Sequence, residues 1–398
     1  MNFHPFSFCD AHYNSPMAQP MTPRRLLTLL SGIAVLAALS WWRLEANTAA
    51  DASDERNARQ GQNNPAAEQE QLLKFQGQVM GTTWTVKALA LPDEYQALQA
   101  LLAKSLQSID EAMTTYQEES ELSRLNRSPA KIKVKVSPEL FTVLQLAQEI
   151  HQVSQGAFDP SVGPLVNAWG FGPTQPTALP TDEELAQLRA RTGYVNLVLD
   201  AHDSTAFKMR DDLSLDLSAI AKGYGTDQAA RALEKEGIRD YMVEVGGEVR
   251  VSGKKPLPGG QSKPWVLGIE APSVQGRRLW ARLELAAPAA LATSGDYRNF
   301  RETGGTTISH TIDPRTGRPV PRLVASVSVI QPSAAKADAL ATALSVLSIE
   351  EGLALAEENA WPVYILERGK EAEAENFTVH QSSAMKSYRL IKLPTARQ

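Results

Sequence analysis

Residues 213–251 read LSLDLSAIAKGYGTDQAARALEKEGIRDYMVEVGGEVRV, and this stretch is central to the predicted fold. The apolar run at 213–217 predicts a strand. The alanine-rich segment predicts a helix over 226–236, ended by Gly237 in the left-handed conformation that glycine tolerates. A second strand is expected from Tyr241 to the Gly246-Gly247 pair. The stretch therefore predicts a βαβ unit.

Lys222, Gly223 and Gly225 fall between the predicted strand and the predicted helix. A glycine turn at a helix start lets backbone N–H groups approach an anion, and the helix N-terminus adds partial positive charge. With the ammonium of Lys222, this turn is a candidate phosphate cradle. It is neither the G-x-G-x-x-G fingerprint nor a Walker loop. The alternative is an ordinary glycine turn.

Composition limits the classes of function. The formal net charge of the 398 residues is -5, which gives no reason to expect a nucleic-acid partner. Cys9 is the single cysteine and lies outside the predicted folded body, so no disulfide or thiolate metal site is expected there. The six histidines are dispersed, which disfavours zinc.

The N-terminal region is interpreted as targeting sequence and tether. Residues 1–20 form a polar extension ahead of a candidate start at Met21, and residues 21–43 combine Arg24-Arg25 with an apolar run, as in a signal peptide or membrane anchor. Residues 44–73 are predicted to be a flexible linker. Positive-inside logic places residues 74–398 on the periplasmic side of the inner membrane, or in the periplasm after cleavage. No cysteine follows the apolar run, so a lipoprotein is not expected.

Residues 74–398 are predicted to form one α+β domain, because strands and helices alternate without regular βα repetition. One bent strand is expected over 74–91 and a polar loop over 114–127. Helices are expected over 95–113, from Ser137-Pro138, after the capping box at Thr181, and over 333–347.

Asp338 and Thr342 are four residues apart on the last of these helices and therefore share one face. A carboxylate and a hydroxyl together suit Mg²⁺, which prefers oxygen ligands and usually keeps waters or substrate phosphates. The alternative is an acidic residue that complements the helix dipole, beside a threonine that is merely buried.

Two further groups of residues are candidates for chemistry. Asp216 lies on the predicted apolar strand, where burying a carboxylate is costly unless it is paired or liganded. The alternative is that Asp216 lies at the strand end and faces solvent. His310 follows the polar segment 294–298, in which Arg298 is a candidate phosphate ligand. A histidine titrates near neutral pH and can act as general acid or base. The alternative is a solvated loop.

Ordered blocks along the chain resemble the FAD:protein FMN transferase family, also known as ApbE or flavin transferases. The blocks are VMGT (79–82), MTTY (113–116), FDP (158–160), DLSAIAKG (216–223), EVGG (244–247), SGDY (294–297), HTIDPRTG (310–317) and ADALATA (337–343). The resemblance covers the chain from about Phe75 to the last strands. It implies a single ApbE-like α+β domain with mixed or antiparallel sheets and packed helices.

The resemblance also implies a set of site residues. The FAD-contacting positions would be Met80, Tyr116, Ala157, Phe158, Asp159, Asp216, Lys222 and Ile312. Tyr116 and Phe158 would flank the flat rings of FAD. The Mg²⁺ ligands would be Asp338 and Thr342 with the carbonyls of Ala219 and Ala341. The resemblance makes His310 the candidate acid or base, and Lys222 would assist catalysis.

The implied reaction is the Mg²⁺-dependent transfer of FMN from FAD to a Ser or Thr hydroxyl of a membrane or extracytoplasmic redox protein, with release of AMP. Subunits of sodium-pumping quinone reductase or Rnf-type complexes are the implied acceptors. Two other functions stay open: an FAD pyrophosphatase that uses water as acceptor, and a non-catalytic flavin-binding protein. Many relatives are lipoproteins, whereas this chain lacks the cysteine that would carry the lipid.

Overall fold

An antiparallel sheet of eight strands organises the fold, and the pattern of apolar residues explains its strands. In Thr82–Ala90, Trp84, Val86 and Ala88 are buried in alternation with more exposed residues, as a strand with one core face requires. The computed structural model describes residues 69–171, 176, 178–272, 278–295, 300–303, 306–321, 323–369 and 377–393. All of these lie in one compact unit, Asn63–Gln398.

The described strands are β1 (Gln71–Val79), β2 (Thr82–Ala90), β3 (Val134–Lys135), β4 (Leu197–Asp200), β5 (Thr205–Lys208), β6 (Tyr241–Val245), β7 (Glu248–Ser252), β8 (Lys255–Pro256), β9 (Ser262–Lys263), β10 (Trp265–Glu270), β11 (Leu279–Leu285), β12 (Ala289–Gly295), β13 (Phe300–Thr303), β14 (Thr306–Ser309), β15 (Ile312–Asp313), β16 (Arg318–Pro319), β17 (Val324–Gln331), β18 (Val363–Arg368), β19 (Phe377–Gln381) and β20 (Arg389–Lys392). The described α-helices are α1 (Tyr95–Met113), α2 (Glu121–Arg127), α3 (Pro138–Val153), α4 (Gly163–Ala168), α5 (Asp182–Arg189), α6 (Ser218–Lys235), α7 (Ala334–Val346) and α8 (Ile349–Glu358).

The large sheet has the order β1-β2-β6-β7-β12-β17-β18-β19, and each neighbouring pair is antiparallel. Its two faces pack on different layers. Val363 and Ile365 of β18 pack into the core formed with α1, α3, α6 and α7. Tyr364 and Leu366, which point the opposite way, pack with Trp265 under the three-stranded sheet β10-β11-β20. The predicted α+β class is confirmed, and the large sheet is antiparallel.

Helices with strong periodicity and caps lie where they are predicted. Helix α1 spans the predicted 95–113 and buries one apolar stripe. The side chain of Ser137 accepts a hydrogen bond from the Leu140 N–H at the start of α3. Thr181 and Glu184 form the reciprocal capping box of α5. Ser333 caps α7 in the same way as Ser137 caps α3.

Two local predictions near the N-terminal side of the body are wrong. The single bent strand over 74–91 is a hairpin of β1 and β2, because Met80 and Gly81 both adopt positive φ and reverse the chain. The predicted loop 114–127 contains helix α2, which Ser120 caps by accepting a hydrogen bond from the Ser123 N–H.

The central stretch also differs from its prediction. Residues 213–217 belong to no strand, so there is no βαβ unit. Helix α6 begins at Ser218, eight residues before the predicted start, and therefore includes Lys222, Gly223 and Gly225. These residues are not a glycine turn, and the predicted phosphate cradle at a helix start is wrong. Strand β6 does start at Tyr241 and ends at the predicted Gly246-Gly247 turn.

Gly223 stands inside α6 because α7 lies against it. A Cβ atom at Gly223 would be 2.4 Å from the Ala334 carbonyl oxygen and 2.7 Å from the Ala335 Cα. The two helix backbones therefore approach more closely than any side chain would allow. This contact, and not a ligand, explains the glycine.

The predicted signal or anchor at 21–43, the polar extension 1–20 and most of the linker 44–73 lie outside the described residues. Within the part of the chain that the structure describes, no helix has the length and apolar character needed to cross a membrane. Asp296, Tyr297 and Arg298 also lie outside the described residues.

Candidate active site

The close contact between α6 and α7 brings Lys222 and Asp338 together. The Gly223 N–H donates to the Asp338 carboxylate at 3.1 Å, and the Lys222 ammonium lies 3.5 Å from the same Oδ2. Asp338 is 5% exposed. The small residues at the helix crossing thus place a buried carboxylate beside a lysine that the sequence separates from it by more than a hundred positions.

Glu248, the first residue of β7, completes a charged cluster with these two side chains. The Lys222 ammonium donates to Glu248 Oε1 at 3.0 Å. Burial opposes the charge of Lys222, but the attraction of Asp338 and Glu248 outweighs it and raises the pKa of the lysine. Burial raises the pKa of Glu248 to about 8; Asp338 adds to this rise and Lys222 opposes it. Lys222 therefore stays protonated.

The turn between β6 and β7 covers this cluster. Gly246 has φ 62°, and a Cβ atom there would lie 2.9 Å from Thr82 Cγ2 and 3.0 Å from Lys222 Cδ. A glycine is required both by the left-handed backbone and by the proximity of the lysine. The close packing of this turn on Lys222 thus explains the first glycine of the EVGG block.

Asp227 of α6 fixes the start of α7. Its carboxylate accepts hydrogen bonds from the N–H groups of Ala334 and Ala335 at 2.9 and 3.1 Å, and from the Ser333 hydroxyl at 2.7 Å. Arg250 of β7 donates to it at 2.8 Å. A carboxylate from one helix therefore caps the next helix, and this sets the position of Asp338 relative to Lys222.

We expect Asp227→Asn to lower the free energy of unfolding by about 2 kcal/mol, because an amide cannot accept all four of these hydrogen bonds and leaves Arg250 without its counter-charge. Urea unfolding followed by circular dichroism measures the loss. Asp182→Asn, at an exposed ion pair with Arg318, is the control and should change stability by less than about 1 kcal/mol. Equal effects of the two substitutions would contradict the capping role.

A cavity of about 470 Å³ opens beside the charged cluster. Most of the predicted site residues line it. From the predicted set they are Ala157, Phe158, Asp159, Asp216, Ala219, Lys222, His310, Ile312, Asp338 and Thr342. These predicted residues come from four separate segments of the chain, and their convergence makes this cavity the candidate active site.

A second cavity, of about 540 Å³, adjoins the first through three shared lining residues, Asp216, Ser218 and Lys222. Met80 and Tyr116 line it, and the Tyr116 side chain is 86% exposed at its rim. Asp110 holds the Met80 turn by accepting from the Met80 N–H at 3.3 Å. Lys222 and Asp216 therefore lie at the junction of the cavity that Tyr116 lines and the cavity that Asp338 and Glu248 line.

Asp216 is not on a strand, and its carboxylate is engaged locally. It accepts from the Ser218 N–H at 2.8 Å and from the Ser218 hydroxyl, and so forms an Asx turn just before α6. Its own N–H donates to the Pro160 carbonyl at 2.7 Å, which ties it to the FDP block. A backbone hydrogen bond therefore joins the DLSAIAKG block to the FDP block.

Asp159 is also used within the protein. Its carboxylate accepts from the N–H and hydroxyl of Ser161 at 2.8 and 2.6 Å and from the Tyr194 N–H at 3.1 Å. His151 donates from Nδ1 to the Phe158 carbonyl at 2.9 Å in the tautomer that fits. Asp159 therefore shapes the cavity wall at Phe158 more than it offers a free charge.

Three of the four residues predicted to ligate the metal line the first cavity: Asp338, Thr342 and Ala219, whose backbone carbonyl is the predicted ligand. Ala341 is 1% exposed and is not among the residues that line it. The described residues contain no group of three or more His, Cys, Asp or Glu placed around one metal position. A carboxylate, a hydroxyl and a carbonyl are nonetheless the oxygen donors that suit Mg²⁺, with water or phosphate as the other ligands.

Sequence reasoning missed Glu248, although it immediately follows the EVGG block. The available signal was an acidic residue at the start of a strand that also contains the apolar residues Val249 and Val251. It also missed Thr293 of β12, which lines the same cavity and whose hydroxyl lies 2.8 Å from that of Ser328.

A larger cavity, of about 730 Å³, lies at the opposite end of β12, beside Ala289. Its charged lining residues, Glu284 and Arg389, pair with each other at 3.0 Å. It contains none of the predicted site residues, so its size alone does not make it a reaction site.

The family model described as "ApbE family" matches residues 80–365, which spans every element of the candidate site. The chain belongs to the ApbE family. An FAD:protein FMN transferase of Vibrio cholerae is 41% identical over 319 residues, covering 79% of this chain and 92% of the relative. The protein of the same name in Haemophilus influenzae is 36% identical over 322 residues, covering 79% of this chain and 91% of the relative.

Solved structures agree with this membership. The flavin transferase ApbE from Vibrio cholerae superposes with a TM-score of 0.71 at 38% identity, covering 80% of this chain and all of that one. The apo form of the Pseudomonas stutzeri flavinyl transferase ApbE gives a TM-score of 0.71 at 34% identity, covering 81% and 98% of the two chains. The predicted ApbE fold is confirmed.

Proposed function

We propose that this ApbE-family chain is an FAD:protein FMN transferase that attaches FMN from FAD to a Ser or Thr hydroxyl of an acceptor protein and releases AMP. The observation that carries the proposal is the meeting of Lys222, Asp338, Thr342 and His310 at one cavity. That cavity joins a second one lined by Tyr116. Both volumes lie in the range typical of small-molecule sites.

FAD would lie across the two cavities, with its pyrophosphate near Lys222, one of the three residues that both cavities share. Tyr116 offers an exposed ring for stacking at one side, and Phe158 is a buried aromatic wall at the other. Binding a long dinucleotide at both ends, across two adjoining cavities, would fix the reacting phosphorus at their junction.

Asp338, Thr342 and the Ala219 carbonyl would hold Mg²⁺, since they supply oxygen donors at one wall. When bound, the ion would supply positive charge to the pyrophosphate oxygens. Lys222 would neutralise a further phosphate oxygen, because its raised pKa keeps it protonated.

In the transfer step the acceptor hydroxyl oxygen forms a bond to the FMN phosphorus. The bond from that phosphorus to the bridging oxygen breaks, and the electron pair leaves with AMP. His310 would accept the hydroxyl proton as general base, since it lines the same cavity. Lys222 would stabilise the negative charge that develops on the leaving oxygen.

We expect His310→Gln to lower the rate of FMN transfer by about 100-fold, because glutamine can hydrogen bond but cannot take the proton. The rate is measured by in-gel flavin fluorescence of the acceptor, and FAD affinity by quenching of flavin emission should change little. His202→Gln, at an exposed turn between β4 and β5, is the control and should leave the rate unaltered. A near-normal rate in His310→Gln would assign the base role to another group.

We further propose that the acceptor is an extracytoplasmic or membrane redox protein, such as a subunit of a sodium-pumping quinone reductase or an Rnf-type complex. The apolar run within residues 21–43 after Arg24-Arg25 supports a location on the periplasmic side of the inner membrane, or in the periplasm after cleavage. Fusing residues 1–73 to a periplasm-dependent reporter enzyme tests this location: reporter activity is expected, and its absence would contradict it.

The function is tested by incubating the protein with FAD, Mg²⁺ and candidate acceptor proteins from the same cell. Transfer predicts a fluorescent acceptor and one AMP released for each FMN attached. Free FMN and AMP with an unlabelled acceptor would instead indicate a pyrophosphatase. Flavin binding without AMP release would indicate a non-catalytic flavin-binding protein.

A further inference from the structure

Glu248 carries a carboxylate oxygen that the rest of the site does not use. Glu248 is 4% exposed and lines the first cavity. Its Oε1 accepts from Lys222, whereas its Oε2 is buried and has no hydrogen-bond partner among the described residues. An unsatisfied buried carboxylate oxygen is costly, so such an atom in a cavity wall indicates a partner that arrives from the cavity.

The charges around Lys222 pose a problem for cation binding. The Lys222 ammonium lies 3.5 Å from Asp338, the only carboxylate in the proposed metal set. A divalent cation on Asp338 would therefore lie close to a fixed positive charge and be repelled by it. With Asp338 and Lys222 alone, the site would carry no net charge to attract the cation.

Glu248 changes this balance. Its carboxylate also lies against the Lys222 ammonium, at 3.0 Å, and when it is ionised the side chains of Lys222, Asp338 and Glu248 together carry a net negative charge. The Gly246 turn packs beside this carboxylate: a Cβ atom at Gly246 would lie 3.5 Å from Glu248 Oε2.

We infer that Glu248 is a positioning residue that offsets the charge of Lys222, so that the lysine and a divalent cation can share Asp338. This inference rests on the proposed function, because it adopts the same metal-binding residues. Mg²⁺ usually keeps several of its waters, and water protons are suitable partners for the unpaired Oε2 of an outer-shell carboxylate.

Four proteins test the inference by calorimetric titration with Mg²⁺, without FAD or acceptor, at about pH 9 so that a carboxyl with a pKa of about 8 is ionised. They are the wild type, Glu248→Gln, Lys222→Met and the double variant. Glu248→Gln should bind Mg²⁺ about 10- to 100-fold more weakly than wild type. Lys222→Met should bind it more tightly. The double variant, whose net charge equals that of the wild type, should return to within about threefold of wild-type affinity.

Rescue by the second substitution separates charge balance from damage to the site. If Glu248 served only to hold the local structure, the double variant would bind as weakly as Glu248→Gln, and that result would overturn the inference. So would a wild-type protein that takes up no Mg²⁺. Matching circular dichroism spectra exclude misfolding, and Glu284→Gln on β11, which removes the same charge far from the cluster, should leave affinity unchanged.

Transfer assays on the same four proteins keep the two proposals apart. The double variant should bind Mg²⁺ normally and still transfer FMN poorly, because it lacks the Lys222 charge that faces the phosphates. Failure of the wild type to label any acceptor would count against the proposed function, whereas the order of the Mg²⁺ affinities decides the role of Glu248 in either case.

Discussion

Asp338→Asn should lower the rate of FMN transfer by about 1,000-fold or more, because it removes the only carboxylate among the proposed Mg²⁺ ligands. The fold should survive. An asparagine oxygen can still accept the hydrogen bond that the Gly223 N–H donates to Asp338, and the side-chain volume is unchanged. Raising the Mg²⁺ concentration should restore part of the rate. Transfer is measured as flavin fluorescence on the acceptor, and stability by thermal unfolding.

Lys336→Ala is the matched control for this substitution. Lys336 lies two residues earlier on α7 and pairs with Glu149 at the surface, where an ion pair contributes little to stability. The Lys336→Ala variant should transfer FMN at the wild-type rate. If Asp338→Asn did the same, Asp338 would not be a metal ligand and the proposed arrangement of the site would fail.

Gly223→Ala has the second large expected effect. The new methyl group would lie 2.4 Å from a backbone oxygen of α7, which cannot rotate away as a side chain would. The helices must therefore separate, at a cost of about 3 kcal/mol in the free energy of unfolding. Since α7 carries Asp338 and α6 carries Lys222, the separation should also lower FMN transfer by about 100-fold in the protein that stays folded.

Gly352→Ala is the matched control: the same substitution should raise the free energy of unfolding, whereas Gly223→Ala should lower it. Gly352 is also a buried helical glycine, on α8, but a Cβ atom there meets nothing nearer than 3.6 Å. Alanine should stabilise the protein by about 0.5 to 1 kcal/mol through its higher helix propensity. Urea unfolding of both variants measures the contrast. A neutral Gly223→Ala would show that the packing of α6 on α7 does not require glycine.

Sequence reasoning succeeded where local signals agree with the fold. Helix α1 has an unbroken apolar stripe, and α3, α5 and α7 have capping residues that mark where each helix begins. The spacing of Asp338 and Thr342 correctly predicted that both lie on one side of α7, because residues four apart in an α-helix share a face. These features depend only on neighbours in the chain.

It failed where distant contacts override local preference. Two glycines predicted a turn over 219–225, whereas α6 begins at Ser218 and Gly223 packs against the backbone of α7. The hairpin of β1 and β2 was missed because Met80 takes positive φ, which is unusual for a residue with a side chain. Glu248 was missed because its partner, Lys222, lies on another element. In each case the deciding neighbour is remote in sequence.

Intact mass spectrometry of the acceptor protein tests the central claim most directly. After incubation with FAD, Mg²⁺ and the wild-type enzyme, the acceptor should gain the mass of one FMN group less water, with AMP formed in equal amount. With Asp338→Asn the acceptor should keep its original mass. Release of FMN and AMP by the wild type, with every candidate acceptor unmodified, would contradict FMN transfer.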